Sequence, residues 1–177
     1  QLVVSMQQVV SRNAPPEIPT VIAFGKIQGG TTMNIIPDKV ELEGTFRTFN
    51  EHWRAQARER IESIARLTTE AAGCRAEVNI REGYPTLYNH PEWTQRVADN
   101  ARDILGPARV KEMGKRMTTD DFAVYTQFFP AVYIRLGTHN PDWKEKKSVH
   151  SGSFNVDERT MRAGIATMLK NVWNALL

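Results

Sequence analysis

Two adjacent glycines, Gly29 and Gly30, stand between two apolar runs of period-two alternation, and they constrain the fold more than any other stretch of the chain. Paired glycines reach the positive φ values that tight hairpin turns require, so Val21 to Ile27 and Val40 to Phe46 are expected to pair as a hairpin. In the second strand Val40, Leu42 and Phe46 fall on one face, with Lys39, Glu41, Glu43, Thr45 and Arg47 on the other. The polar face therefore carries an arginine, and the turn region carries Asn34. A guanidinium is a five-donor fork that grips a carboxylate through two parallel bonds, and an amide adds a donor and an acceptor. Such a pair suits an acylated amino acid. The residue types leave a second reading open, in which Arg47 pairs with Glu41 or Glu43 across the sheet and Asn34 caps a turn.

The segment GGTTMNIIPDKVELEGTFRTFNEHWR resembles the lid, or dimerisation, domain of the M20 metallopeptidase family, in particular its amidohydrolase branch acting on N-acyl and indole-acetyl amino acids. Further motifs follow in the family's order: QQVVSR near the start, EGYPTLYN from Glu82 to Asn89, DDF from Asp120 to Phe122, and LGTHN and VHSGSF towards the end. The likeness spans essentially the whole chain. It implies that Asn34 and Arg47 contact substrate. It also implies a metal-ligand role for His150, which matches the histidine of an HSPxF-like motif before the last helix, with Gly152 in place of the motif's proline. Asp120-Asp121-Phe122 stands where the family has Glu-Asp-Phe, and the first carboxylate here is one methylene shorter.

Bulk properties bound the rest. A chain of 177 residues with 41% apolar residues suits one domain or two small ones with a real core. Its 23 basic and 20 acidic residues are interspersed, so the +3 net charge forms no basic stripe and implies no nucleic-acid partner. The cluster Lys144, Lys146 and Lys147 is interrupted by Glu145 and reads as a solvated loop. Cys74 is the single cysteine, which excludes an intrachain disulfide and a CxxC zinc knuckle and reads as a buried, reduced thiol. No apolar run approaches the roughly 20 residues of a membrane span, and no signal segment is recognisable, so a soluble cytoplasmic protein is expected. Gln1 to Ser11 reads as the back half of an apolar helix with no cap. The expectation from this is the C-terminal part of a longer polypeptide.

Along the chain, prolines between Asn13 and Pro19 end the first helix and lead into an extended strand at Thr20 to Gln28. Asn50 is placed to cap a helix with the stripe Trp53, Ala57, Ile61, Ile64, Ala65, Thr68 and Ala72, ending at Gly73. Alternation predicts a half-buried strand over Arg75 to Arg81. The order helix, strand, strand, helix, strand is a ferredoxin-like split βαβ unit lacking its first strand, the fold the resemblance gives to the lid. After Gly83, Pro91 starts a helix that Gly106-Pro107 ends. A short helix near Asp121 to Phe128, a buried strand over Ala131 to Leu136, a loop from Gly137 to Ser153 and a last helix from Asp157 to Leu176 follow. In that last helix Met161, Ile165, Leu169, Val172 and Trp173 are expected to be buried along one stripe. The fold class expected is thus α+β followed by α/β: a lid over residues 1–83 and the C-terminal segment of a metallopeptidase catalytic domain over 84–177.

Beyond the resemblance, His150 reads as a polar loop histidine, since no HxxxH, HExxH or cysteine cluster supplies the about four ligands that zinc takes. Asp120 and Asp121 read first as helix-start caps that favour the helix dipole, with a carboxylate pair splitting into acid and base as the alternative. His139 is a loop residue at a strand end, and His52 and His90 read as structural or solvated. The resemblance implies metal-assisted amide hydrolysis, in which a divalent pair, zinc or manganese, activates a bridging water and a glutamate takes its proton. No catalytic residue of that set is in this chain. The other ligands and the base belong to an N-terminal catalytic half, and a homodimer forms through the lid. A dimerisation or ligand-binding module without catalysis is the competing expectation. RNA binding through a ferredoxin-like sheet lacks the stacking aromatics it needs.

Overall fold

The computed structural model describes residues 1–177 and divides into two compact units, residues 1–86 with 116–120, and residues 87–115 with 121–177. In the first unit α1 (Leu2–Gln8) runs on into a π-helical turn (Val9–Asn13), so the predicted first helix is present but widens at its end. β1 (Thr20–Gly29) and β2 (Val40–Thr48) pair antiparallel with Ile22 opposite Phe46 and Phe24 opposite Gly44. A bulge between Phe24 and Lys26 shifts the register. The hairpin is there, but its connection is the loop 30–39 rather than a tight turn, and only Gly30 of the glycine pair takes positive φ, at 77°.

α2 (Glu51–Glu70) starts as its sequence predicts. The Asn50 side chain accepts from Trp53 N at 2.8 Å, satisfying one of the donors that a helix start leaves open. It ends where Gly73 turns to φ 72° and Cys74 N donates to Thr69 O at 2.9 Å, a left-handed stop that a side-chain-free residue adopts without strain. Between these signals α2 lays Trp53, Ala57 and Ala65 against Met6 and Val9, with Ile22, Phe24 and Phe46 closing the core from the sheet. Trp53 donates its indole N–H to Thr20 Oγ1 at 3.0 Å, so the buried ring leaves no polar atom unmatched. Gly44 lets β2 approach: a Cβ there would stand 2.6 Å from Ala23 O and 3.0 Å from the Phe24 ring. Val40, expected on the buried face, is exposed, because the core's sheet partners stop at Phe24 and Phe46.

Arg75 to Arg81 forms no strand. Ala76 packs on the core as its alternation predicts, yet the segment makes no ladder bond to β1 or β2, and alternation without a paired neighbour leaves irregular backbone. Cys74 is exposed rather than buried, since it lies just past the helix stop.

In the second unit α3 (Pro91–Leu105) ends at Gly106 (φ 84°), followed by a 3-10 turn (Pro107–Arg109), α4 (Phe122–Tyr125) and α5 (Arg159–Leu176). α3 and α5 are joined by Asn100 Nδ2 donating to Asn171 Oδ1 at 2.8 Å and by Lys170 pairing with Asp103 at 3.2 Å. Ala131 to Leu136 is irregular rather than a ladder-bonded strand. Asn89 holds it instead, its amide donating to Tyr133 O at 3.0 Å and accepting from Tyr133 N at 2.8 Å. The apolar stripe of α5 is exposed, not buried, with Ile165 60% and Trp173 67% accessible, because no other element of the unit lies over it. No helix is long and apolar enough to cross a membrane.

Candidate functional site

The candidate residues fall into two groups, one in each unit. In the first unit Arg47 sits opposite Val21 near the end of β2 and is half-buried. Its expected carboxylate partners are taken by others. Glu41 is paired with Lys39 at 2.6 Å and Glu43 with Lys26 at 2.5 Å. The Lys39 ammonium holds the Glu41 carboxyl below its usual range, and the hydrogen bond to Glu43 pushes the Lys26 ammonium up. Arg47 instead donates Nη1 to the Met117 carbonyl at 2.6 Å. That carbonyl belongs to the strap 116–120, which packs with the first unit although the residues on both sides of it belong to the second. One of the fork's five donors is thereby fixed, and no carboxylate of the chain neutralises the charge.

Asn34 lies in the turn of the 30–39 loop, exposed, and its side chain makes no hydrogen bond within the chain, so it does not cap that turn. Met33, Ile35 and Ile36 beside it are exposed as well. The Glu82 to Asn89 motif is structural in both units. Glu82 pairs with Arg58, which holds its carboxyl below the usual range, Tyr84 O accepts from Arg54 at 2.9 Å, and Asn89 clamps Tyr133.

The adjacent carboxylates part company. Asp120 belongs to the first unit and is half-buried, whereas Asp121 is exposed at the start of α4. The Asp121 side chain makes no capping bond, and only its carbonyl engages the helix, accepting from Val124 N at 2.9 Å.

In the second unit His150 occupies an exposed turn that Ser151 ties together, with Ser151 N donating to Ser148 O at 3.1 Å and Ser153 N to Ser151 Oγ at 3.1 Å. Its imidazole makes no hydrogen bond within the chain. His139 is exposed and sets its ring against the edge of Trp143, 6.1 Å between centroids. Next to it Thr138 O accepts from Asp157 N at 2.9 Å. Asp157 is buried and takes three donors of Arg159, Nη2 at 2.6 Å, Nε at 3.0 Å and the backbone N at 3.0 Å, which hold its carboxyl below the usual range and fix the start of α5. His52 meets Gln56 at 3.1 Å on the exposed side of α2, and His90 precedes α3 with its Nδ1 buried.

No three His, Cys, Asp or Glu side chains gather where they would hold a metal ion. The residues of this chain do not by themselves fit a metal centre. Sequence reasoning missed the Met117 carbonyl, since a backbone acceptor leaves no mark on residue type. It also missed Asp157, whose signal was an Asp two residues before the Arg that opens the last helix.

The chain belongs to Peptidase family M20/M25/M40, whose profile matches residues 5–174. Among its relatives are the N-acetyl-L-cysteine deacetylase of Bacillus subtilis, 34% identical over 89% of this chain and 36% of that protein, and the IAA-amino acid hydrolase ILR1-like 4 of Arabidopsis thaliana, 32% identical over 92% and 38%. The crystal structure of a candidate aminohydrolase from methicillin-resistant Staphylococcus aureus superposes with TM-score 0.78 at 27% identity, covering 97% of this chain and 43% of that one. The Bacillus subtilis YXEP protein, described as a dinuclear metal-binding peptidase from the M20 family, shares the fold with TM-score 0.66 at 24% identity. The chain spans less than half the length of these relatives.

Proposed function

We propose that this chain supplies the substrate-gripping lid and the C-terminal catalytic segment of an M20 metal-dependent amidohydrolase that cleaves the amide bond of N-acyl amino acids or small peptides. In this reading residues 1–83 are the lid, of ferredoxin-like type and dimerising with a second copy, and residues 84–177 belong to a catalytic domain completed by an N-terminal half. The enzyme is cytoplasmic. The observation that carries the reading is the state of Arg47: half-buried, oriented by the Met117 carbonyl and neutralised by no carboxylate. A guanidinium so placed receives a carboxylate from outside the chain, and a charge-assisted fork is the strongest of the common hydrogen-bond arrangements. Asn34, with its amide uncommitted, suits the amide of the same substrate. The relatives' names agree, since N-acetyl-L-cysteine and IAA-amino acids each join an acyl group to an amino acid.

His150 is assigned as one metal ligand, with Asp120, Asp121 and His139 as lesser candidates around the same chemistry. The metal, zinc or manganese and dinuclear as described for the YXEP protein, needs ligands that this chain does not bring together. Its part would be to activate water. What these 177 residues contribute is binding, through Arg47 and Asn34.

In the intact enzyme Arg47→Ala is expected to lower kcat/KM for an N-acetyl amino acid by about 10- to 100-fold, the worth of about 1.5–3 kcal/mol for a bond to a charged group. The corresponding N-acetyl amino amide, which lacks the carboxylate, should be affected far less. An unchanged kcat/KM for the acid would sink the assignment. The lack of a ligand cluster favours one other reading, a dimerisation or ligand-binding module without catalysis. Metal analysis of the purified 177-residue protein tests this second reading, which stoichiometric, tightly held zinc or manganese would contradict.

A further inference from the structure

Arg47 stands one residue from the end of the β1–β2 ladder, where Thr20 opposite Thr48 is the last pair. A two-stranded hairpin is marginal by itself and opens first at its ends, so a side chain that must meet a substrate from this position needs a brace. Arg54 supplies one. It closes the first turn of α2 with its side chain only 18% accessible, and its guanidinium donates to two main-chain carbonyls, Nη1 to Tyr84 O at 2.9 Å and Nη2 to Thr48 O at 3.4 Å. Glu51 Oε1 lies 3.2 Å from Arg54 Nη2 and balances its charge. The same oxygen accepts from Thr86 N at 2.7 Å and from Thr86 Oγ1 at 2.8 Å. One turn further along, Arg58 pairs with Glu82. Residues 51, 54 and 58 share a face of α2 through their three- and four-residue spacing, so that face holds segment 82–86 at three places and the end of β2 at one. The two arginines therefore differ in kind. Arg54 gives its donors to carbonyls with its charge matched by Glu51, whereas Arg47 is aimed by one carbonyl and matched by no carboxylate.

We propose that Arg54 is a positioning residue for the substrate grip: by tying the end of β2 to segment 82–86 it holds the backbone of Arg47 where the guanidinium, aimed by the Met117 carbonyl, meets the substrate carboxylate. Arg54 acts through Arg47 and does not touch the substrate. Its role depends on the planar fork, which spans two carbonyls where the ammonium of a lysine is a single point of charge. The inference rests on the substrate assigned to Arg47 and adds a second residue to the same site.

The test is a double-mutant cycle in the intact enzyme, read on an N-acetyl amino acid and on the corresponding N-acetyl amino amide. Arg54→Met removes the fork and keeps an apolar stem of good helix propensity. It is expected to lower kcat/KM for the acid about 5- to 20-fold, chiefly by raising KM, with a far smaller change for the amide, because only the acid uses the displaced guanidinium. In an Arg47→Ala background the same substitution should cost the acid less than about twofold, since no grip is left to position. Arg54→Lys should fall between the parent and Arg54→Met, and it carries the cycle if the methionine variant does not fold. Three results overturn the proposal and leave Arg47 in place: no loss on the acid, equal losses on acid and amide as a merely structural brace would give, or an Arg54 loss as large without Arg47 as with it. Unchanged turnover in Arg47→Ala alone removes the substrate assignment and this proposal together, so the single variant tells which of the two has failed.

Discussion

The two units of this protein treat their apolar residues in opposite ways. In the first, Met6, Val9, Trp53, Ala57 and Ala65 are enclosed by α1, α2 and the inner face of the hairpin. In the second the apolar stripe along α5 faces outward, and the buried hydrophobic residues are Ala101 and Ala123. The first unit thus closes a core from its own elements. The second is held by polar anchors, among them Asn89 on Tyr133, Asn100 on Asn171 and Arg159 on Asp157. Amphipathic pattern tells which face of an element is to be covered, and only the neighbours tell whether it is.

Three substitutions would break or sharpen this contrast. Trp53→Ala removes the largest ring of the enclosed core and the partner of Thr20, and should cost about 3–5 kcal/mol in urea unfolding. A loss below 1 kcal/mol would mean that the first unit is not closed. Asp157→Asn tests the anchors. Because the Asp157 carboxyl is held below its usual range, its contribution is fully present above about pH 4, where the unfolded group is ionised, and is lost as pH falls through the lower folded value. The urea midpoint of the parent should therefore fall below about pH 4, and the variant, weaker at neutral pH, should show a shallower fall. Parallel curves for the two proteins would remove Asp157 from the list of anchors. The smallest effect is expected from Leu169→Ala, within about 0.5 kcal/mol in the isolated chain, because that side chain is already in water. A cost like that of Trp53→Ala would show the α5 face to be covered in solution.

What the sequence made legible was local. Asn50, Pro91, Gly73 and Gly106 stop and start helices through bonds and φ values that span a few residues, so residue type alone located those ends. The hairpin was legible for the same reason, though not the length of its loop. Arg75 to Arg81 and Ala131 to Leu136 alternate or cluster as strands should, but a ladder is a property of two segments, and their expected pairing is not formed here. In the candidate site Arg47 and Asn34 stood out by motif, and residue chemistry left them undecided between a surface ion pair and an anion grip. The structure removes the ion pair, because Lys26 and Lys39 occupy both glutamates. The acceptor that Arg47 does use, 70 residues away on the main chain, has no letter in the sequence.

The strap 116–120 changes what counts as a domain in this protein. A gene segment ending at Thr86 would encode α1, the hairpin and α2 yet leave behind Met117, and with it the carbonyl that aims Arg47. The first unit could not be moved as one contiguous cassette and keep the Arg47–Met117 bond, because one side of that bond is written in the reading frame of the neighbouring unit.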